Sequence, residues 1–103
     1  MIVQGSNTPI TVTFDVQPAD VEITLHNEIE ILKQWDYEEL VFDETGLVCK
    51  ATYTQDESLQ WEEGPCEIEV RWIDATGDFA GEVQTQRRRE LIEWSKDQTI
   101  LEA

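Results

Sequence analysis

Glu67 and Glu69 stand two apart in Cys66-Glu67-Ile68-Glu69-Val70, a spacing that puts both carboxylates on one face of a strand. Paired carboxylates are the raw material of general acid/base catalysis, but that chemistry needs them in contrasting environments, one of them desolvated. Here the acids recur regularly opposite apolar residues, as Asp15 does among its neighbouring threonines, which is the pattern of a solvated face. The chain holds one histidine, His26, so most nucleophilic triads built on histidine have no place in it. His26 itself reads as an exposed residue at a strand end. Cys49 and Cys66 lie 17 positions apart with His26 distant, which matches no zinc spacing. Each cysteine sits in an alternating apolar pattern, the setting of a reduced core thiol, with a disulfide open to them if their strands pair. Asp43-Glu44-Thr45-Gly46 and Asp74-Ala75-Thr76-Gly77-Asp78 put oxygen ligands in turns. Neither has the length or the terminal glutamate of a dedicated calcium loop, and Asp and Gly are ordinary hairpin residues. These residues imply a non-enzymatic protein, with no catalytic group, no metal site and no cofactor.

What remains is a set of residues suited to contact. Arg87, Arg88 and Arg89 stand side by side in a chain of net charge −16. Sixteen acids and two bases, Lys33 and Lys50, precede Val70, whereas seven acids and five bases follow. A polyanion of this kind is repelled by nucleic acid and by anionic membrane, so neither is a partner. Strand alternation sends Arg87 and Arg89 to one face and Arg88 to the other. Two readings of the run stand together: a charged guard on an exposed edge, and a salt-bridge patch that docks on an acidic neighbour. Of the four tryptophans, Trp72 continues a core alternation. Trp35 and Trp94 sit beside charged residues, where they read equally as contact residues or as half-buried packing at the ends of the fold.

Period-two alternation organises the rest. Ile10, Val12, Phe14 and Val16 share one strand face, and Val21, Ile23 and Leu25 make a second, which Asn27 breaks. Ile29 and Ile31 resume it towards Trp35. Gly46 closes a hairpin turn before Leu47, Cys49, Ala51 and Tyr53. Thr54-Gln55-Asp56-Glu57 is a capping box, so the spacing predicts one helical turn near 54–60 that lays Leu59 or Trp61 over one end of the core. Cys66, Ile68, Val70 and Trp72 form the clearest strand. The segment from Phe79 to Glu93 reads as one or two strands, ended by Ser95-Lys96-Asp97 and followed by an Ile100-Leu101 tail. Seven or eight short strands in 103 residues imply one all-β domain, 1–103, a single antiparallel β-sandwich of immunoglobulin-like general architecture. The expected core is Ile10, Val12, Phe14, Val21, Ile23, Leu25, Leu47, Cys49, Ala51, Leu59, Ile68, Val70 and Trp72. No run is long and apolar enough for a membrane span, and the N-terminus lacks the pattern of a signal peptide, which implies cytoplasmic synthesis.

The order of these signals resembles that of small phage and prophage proteins of Firmicutes. Val3-Gln4-Gly5-Ser6-Asn7-Thr8-Pro9 followed by Ile10-Thr11-Val12-Thr13-Phe14 looks like their opening. Ala51-Thr52-Tyr53-Thr54-Gln55-Asp56-Glu57-Ser58-Leu59 looks like their Leu-Thr-Gln-Glu-Glu-Thr signature, with Tyr53 in place of Leu. Cys66-Glu67-Ile68-Glu69-Val70-Arg71-Trp72 resembles their Val-x-Ile-Gln-Val-Arg strand, with Glu69 where Gln is usual. Gly77, the stretch Glu82 to Leu91 and the tail Gln98-Thr99-Ile100-Leu101 also fit. The whole is similar to the N-terminal sandwich domain of phage baseplate upper proteins. The resemblance implies a virion-associated structural or accessory protein, made in the cytoplasm of the bacterial host. Its partners would be other virion proteins or copies of itself, as a homo-oligomer. A stand-alone protein- or carbohydrate-binding module is the alternative, and exposed coplanar tryptophans lining a groove would favour it.

Overall fold

Most apolar alternations of the sequence become strands with one face turned inward; that of Ile29 and Ile31 does not, since both side chains are exposed and only Trp35 of that stretch is buried. The computed structural model describes residues 1–94, so the expected strand end at Ser95–Asp97 and the Ile100–Leu101 tail lie outside the described residues. The strands are β1 (Ile2–Val3), β2 (Ile10–Thr13), β3 (Pro18–His26), β4 (Ile31–Trp35), β5 (Val41–Phe42), β6 (Val48–Ala51), β7 (Gly64–Asp74) and β8 (Val83–Glu93). A 3-10 turn covers Tyr37–Glu39, and one helical turn, α1, covers Gln55–Leu59. A five-stranded sheet in the order β1-β8-β7-β3-β4 packs on a three-stranded sheet in the order β2-β6-β5. The expected all-β sandwich is what the chain forms. Every pairing is antiparallel except that of β1 with β8, which is parallel. The stretch after Phe79 makes a single strand, β8, which starts at Val83.

Val21, Ile23 and Leu25 of β3 and Ile68 and Val70 of β7 point into the space between the sheets, where Ile10, Val12, Phe14, Cys49 and Ala51 meet them. Full burial of one such aliphatic side chain stabilises by about 1.5–3 kcal/mol. Asn27 ends β3 by a local turn: its side-chain oxygen accepts from the amides of Ile29 and Glu30, both at 2.8 Å. Gly46 turns the β5–β6 hairpin at φ +72°, and a Cβ there would lie 2.3 Å from the Gln17 side chain.

Three expected core positions differ. Leu59 is 38% exposed, and Trp61 covers the core end in its place. The capping box forms as expected: the Thr54 hydroxyl accepts from the Glu57 amide at 3.1 Å, and Glu57 accepts from the Thr54 amide at 2.9 Å. That geometry turns Ser58, not Leu59, inward. Ser58 is completely buried, its Oγ accepting from the Gly5 amide at 3.0 Å and donating to the Ser6 carbonyl at 2.7 Å. Leu47 and Trp72 are half-buried. Trp72 sits at the sandwich margin, edge-on to Phe14 at 5.6 Å, and its Nε1 donates to Asp74 at 3.1 Å.

Cys49 and Cys66 lie on different sheets and are both free. Burial pushes each thiol up to about 11, which keeps both protonated and unreactive.

Candidate protein-contact surface

The outer face of the five-stranded sheet is laid out by cross-strand register. Glu22 of β3 stands opposite Arg71 of β7, which stands opposite Thr85 of β8. The next rung is Thr24, Glu69 and Arg87, and the next is His26, Glu67 and Arg89. The two glutamates of the catalytic reading therefore lie between bases. Arg87 Nε donates to Glu69 at 2.9 Å and lies 3.7 Å from Glu67, while Arg71 Nε approaches Glu69 at 3.7 Å. His26 Nε2 lies 3.2 Å from Glu67. Exposed pairs of this kind contribute about 0–1 kcal/mol each, so the ladder orders the side chains more than it stabilises the fold.

His26, Glu67 and Glu69 each bring one donor atom within 4.8 Å of the others. Distance in sequence hid this juxtaposition: His26 and Glu67 are direct cross-strand partners, and no spacing rule links residues of β3 and β7. The arrangement could offer three ligand atoms to a divalent cation. Guanidinium groups already occupy its positive position, because Arg87 bridges both carboxylates and Arg71 sits on Glu69. Chemically it is an ion-pair ladder. As acid and base the two glutamates are alike, both on a half-exposed face, without the contrast of environments that proton transfer needs.

The arginine run divides as strand alternation requires. Arg87 and Arg89 lie on the outer face with Glu69 and Glu67. Arg88 lies on the inner side opposite Ile68, and its Nε reaches Glu90 at 3.3 Å. The acidic first part of the chain and the basic patch thus interleave in space, because β7 carries the last acids of one into the sheet beside β8.

The arginine run, read from sequence as either a charged edge guard or a docking patch, lies on β8, whose outward side is such an edge; what sequence reasoning missed is how far that edge runs. Along one side β8 pairs with β7 from Val83 to Ile92. Along the other, β1 covers only Ile92 and Glu93, so among the described residues the backbone edge from Val83 to Leu91 is unpaired. Val83 is 65% exposed and Leu91 is also exposed.

Trp94 follows β8 directly and is 47% exposed, so it remains a candidate contact residue beside Arg87, Arg88 and Arg89. Trp35 does not. It is 1% exposed, opposite Ile23 at the end of β4, with its Nε1 donating to the Thr52 carbonyl at 2.7 Å. The Lys33 ammonium lies 5.7 Å from its ring centroid. The charged neighbours that made Trp35 a candidate contact residue, with half-buried packing as the equal alternative, flank a side chain that alternation turns fully inward. No helix among the described residues is long and apolar enough to cross a membrane. No protein-family model, curated protein or solved structure matches this chain.

Proposed function

We propose that the chain is a non-enzymatic structural or accessory component of a phage or prophage particle, acting through protein–protein contacts. The observation that carries the contact reading is the β8 edge, which among the described residues is uncovered from Val83 to Leu91 and carries Arg87, Arg88 and Arg89. An uncovered edge is a standing template for strand addition. The fate of the acidic groups supports the same reading, since Glu67 and Glu69 are engaged by arginines and are not set up for proton transfer. The particle context rests on the resemblance of the Gly5 to Phe14 opening, the Thr54 to Leu59 turn and the Cys66 to Trp72 strand to small phage proteins. On this reading the chain is made in the bacterial cytoplasm and leaves it on the particle. A carbohydrate-binding module would present several tryptophans along a groove. Trp35 and Trp61 are buried and Trp72 is half-buried, which leaves Trp94 to serve alone.

The test is to purify particles from an induced host that encodes this sequence, at successive stages of assembly, and to measure the chain by mass spectrometry. Co-purification in fixed ratio to a major structural protein is the expected result. Absence from every particle and assembly intermediate would reject the virion role.

A further inference from the structure

The edge of β8 that is uncovered among the described residues carries the sequence Val83-Gln84-Thr85-Gln86-Arg87-Arg88-Arg89, which divides at Gln86 into a neutral half and a cationic half. We propose that two copies of the chain pair antiparallel through this edge, about a two-fold axis at Gln86, so that the large sheets of both copies join through β8. This rests on the reading of β8 as the contact strand and names its partner as a second copy.

Antiparallel pairing restricts the choice of axis. Outward-pointing and inward-pointing backbone groups alternate along a strand, so each residue must meet one of its own kind and the axis must pass through a residue. With the axis at Gln86, Thr85 of one copy faces Arg87 of the other, Gln84 faces Arg88, and Val83 faces Arg89. The two Gln86 amides meet on the axis, where each can donate to and accept from the other. Every arginine then stands opposite a neutral residue, and the stem of Arg89 lies over the exposed Val83. An axis at Arg87 would set that arginine against itself. An axis at Arg88 would set Arg88 against itself and Arg87 against Arg89. Like charges directly opposite are destabilising. The arginine run thereby excludes the next registers on its C-terminal side, while an axis at Thr85 would pair only Val83 to Arg87, because β8 starts at Val83.

Two further observations favour this register. In it the nearest arginines of the two copies are the Arg87 pair, on a diagonal at about 7–8 Å. Each is already engaged within its own chain, with Glu69 at 2.9 Å. The paired segment also ends at Arg89, one residue short of Glu90, whose carboxylate holds the Met1 ammonium at the corner where β1 begins. A longer overlap would have to displace that corner. Opposing the pairing is the net charge of −16 on each copy. Screening of this repulsion makes association stronger with added salt, the opposite of what an interface held by ion pairs between copies would show.

The test is sedimentation velocity of the wild-type chain over a protein concentration series, at about 0.05 M and about 0.5 M salt. The expected result is a monomer–dimer equilibrium that moves towards dimer at the higher salt. Register is read by disulfide trapping under mild oxidation, for which the native thiols are buried and silent. Thr85→Cys mixed with Arg87→Cys should form a covalent heterodimer about ten-fold faster than either variant alone, since only directly opposed positions bring Cα atoms within bonding reach. A wild-type chain that is monomeric throughout would overturn the proposal, and so would weaker association at high salt. Arg87→Cys alone crosslinking as fast as the mixture would overturn it too, by placing the axis at Arg87. A monomeric chain that still enters particles would sink the pairing and leave the virion reading intact. A dimer that never enters them would do the reverse.

Discussion

Replacing Ser58 by alanine should be among the most damaging single-atom deletions in this protein. The Ser58 hydroxyl is fully buried and joins α1 to the segment that leads from β1 to β2. It accepts from the buried Gly5 amide at 3.0 Å and donates to the Ser6 carbonyl at 2.7 Å. Alanine keeps the backbone and the Cβ but strands one donor and one acceptor. A buried group left without its partner costs about 1–3 kcal/mol, and the Ser6 carbonyl contact is only partly buried, so the two together predict a loss of about 2–4 kcal/mol. That is a large fraction of the roughly 5–15 kcal/mol that holds a domain together. Thr54→Ala is the internal control. It removes an exposed cap at the same turn and should cost about 0.5–2 kcal/mol. Urea unfolding followed by tryptophan fluorescence is a suitable assay, with the buried Trp61 three residues away as a reporter. With a slope of about 1 kcal/mol/M, Ser58→Ala should lower the midpoint by about 2–4 M. An unchanged slope with a smaller shift than that of Thr54→Ala would refute the view that this hydroxyl staples the N-terminal segment to the sandwich.

Trp35→Ala should cost about 3–5 kcal/mol by emptying a core site, while Trp94→Ala should stay within about 0.5 kcal/mol as a surface change. Equal midpoints in denaturant for the two variants would show the β4 register to be wrong. Gly46→Ala forces a Cβ onto a φ of +72° and into the Gln17 side chain. The left-handed backbone alone should cost about 1–2 kcal/mol, and adding Gln17→Ser should recover only the steric remainder; full recovery would mean that the backbone is not strained. The Lys33 ammonium, which bonds the Glu57 carboxylate, and the Thr54 amide hold the Glu57 carboxyl below its ordinary value. A lowered carboxylate pKa contributes stability that is present above the ordinary glutamate range and is lost as pH falls through it. The stability gap between wild type and Lys33→Met should therefore shrink between about pH 6 and about pH 3. A gap that does not change with pH would mean that Lys33 acts through its contact with the Trp35 ring instead.

The sequence by itself determined what depends on near neighbours along the chain. Alternation at Ile10–Phe14, Val21–Leu25 and Cys66–Val70 marked the inward faces, because side chains two apart in a strand point the same way whatever lies opposite. The turn at Gly46 and the capping box at Thr54 were legible for the same reason, since both close within a few residues. The tertiary structure decided what depends on the strand alongside. The arginine run marked a candidate edge, but how much of β8 is covered by β1 follows from pairing between residues about ninety apart, for which local pattern carries no signal. That Glu67 and Glu69 meet Arg87, Arg71 and His26 is likewise a fact of register between β3, β7 and β8. Trp35 and Leu59 were misread because charged or apolar neighbours in sequence say little about which side of an irregular strand or a single helical turn faces the core. Ser58 is the sharpest instance. Nothing local distinguishes it from an exposed helix serine, and only the arrival of Gly5 and Ser6 from the far end of the chain turns its hydroxyl into a buried staple.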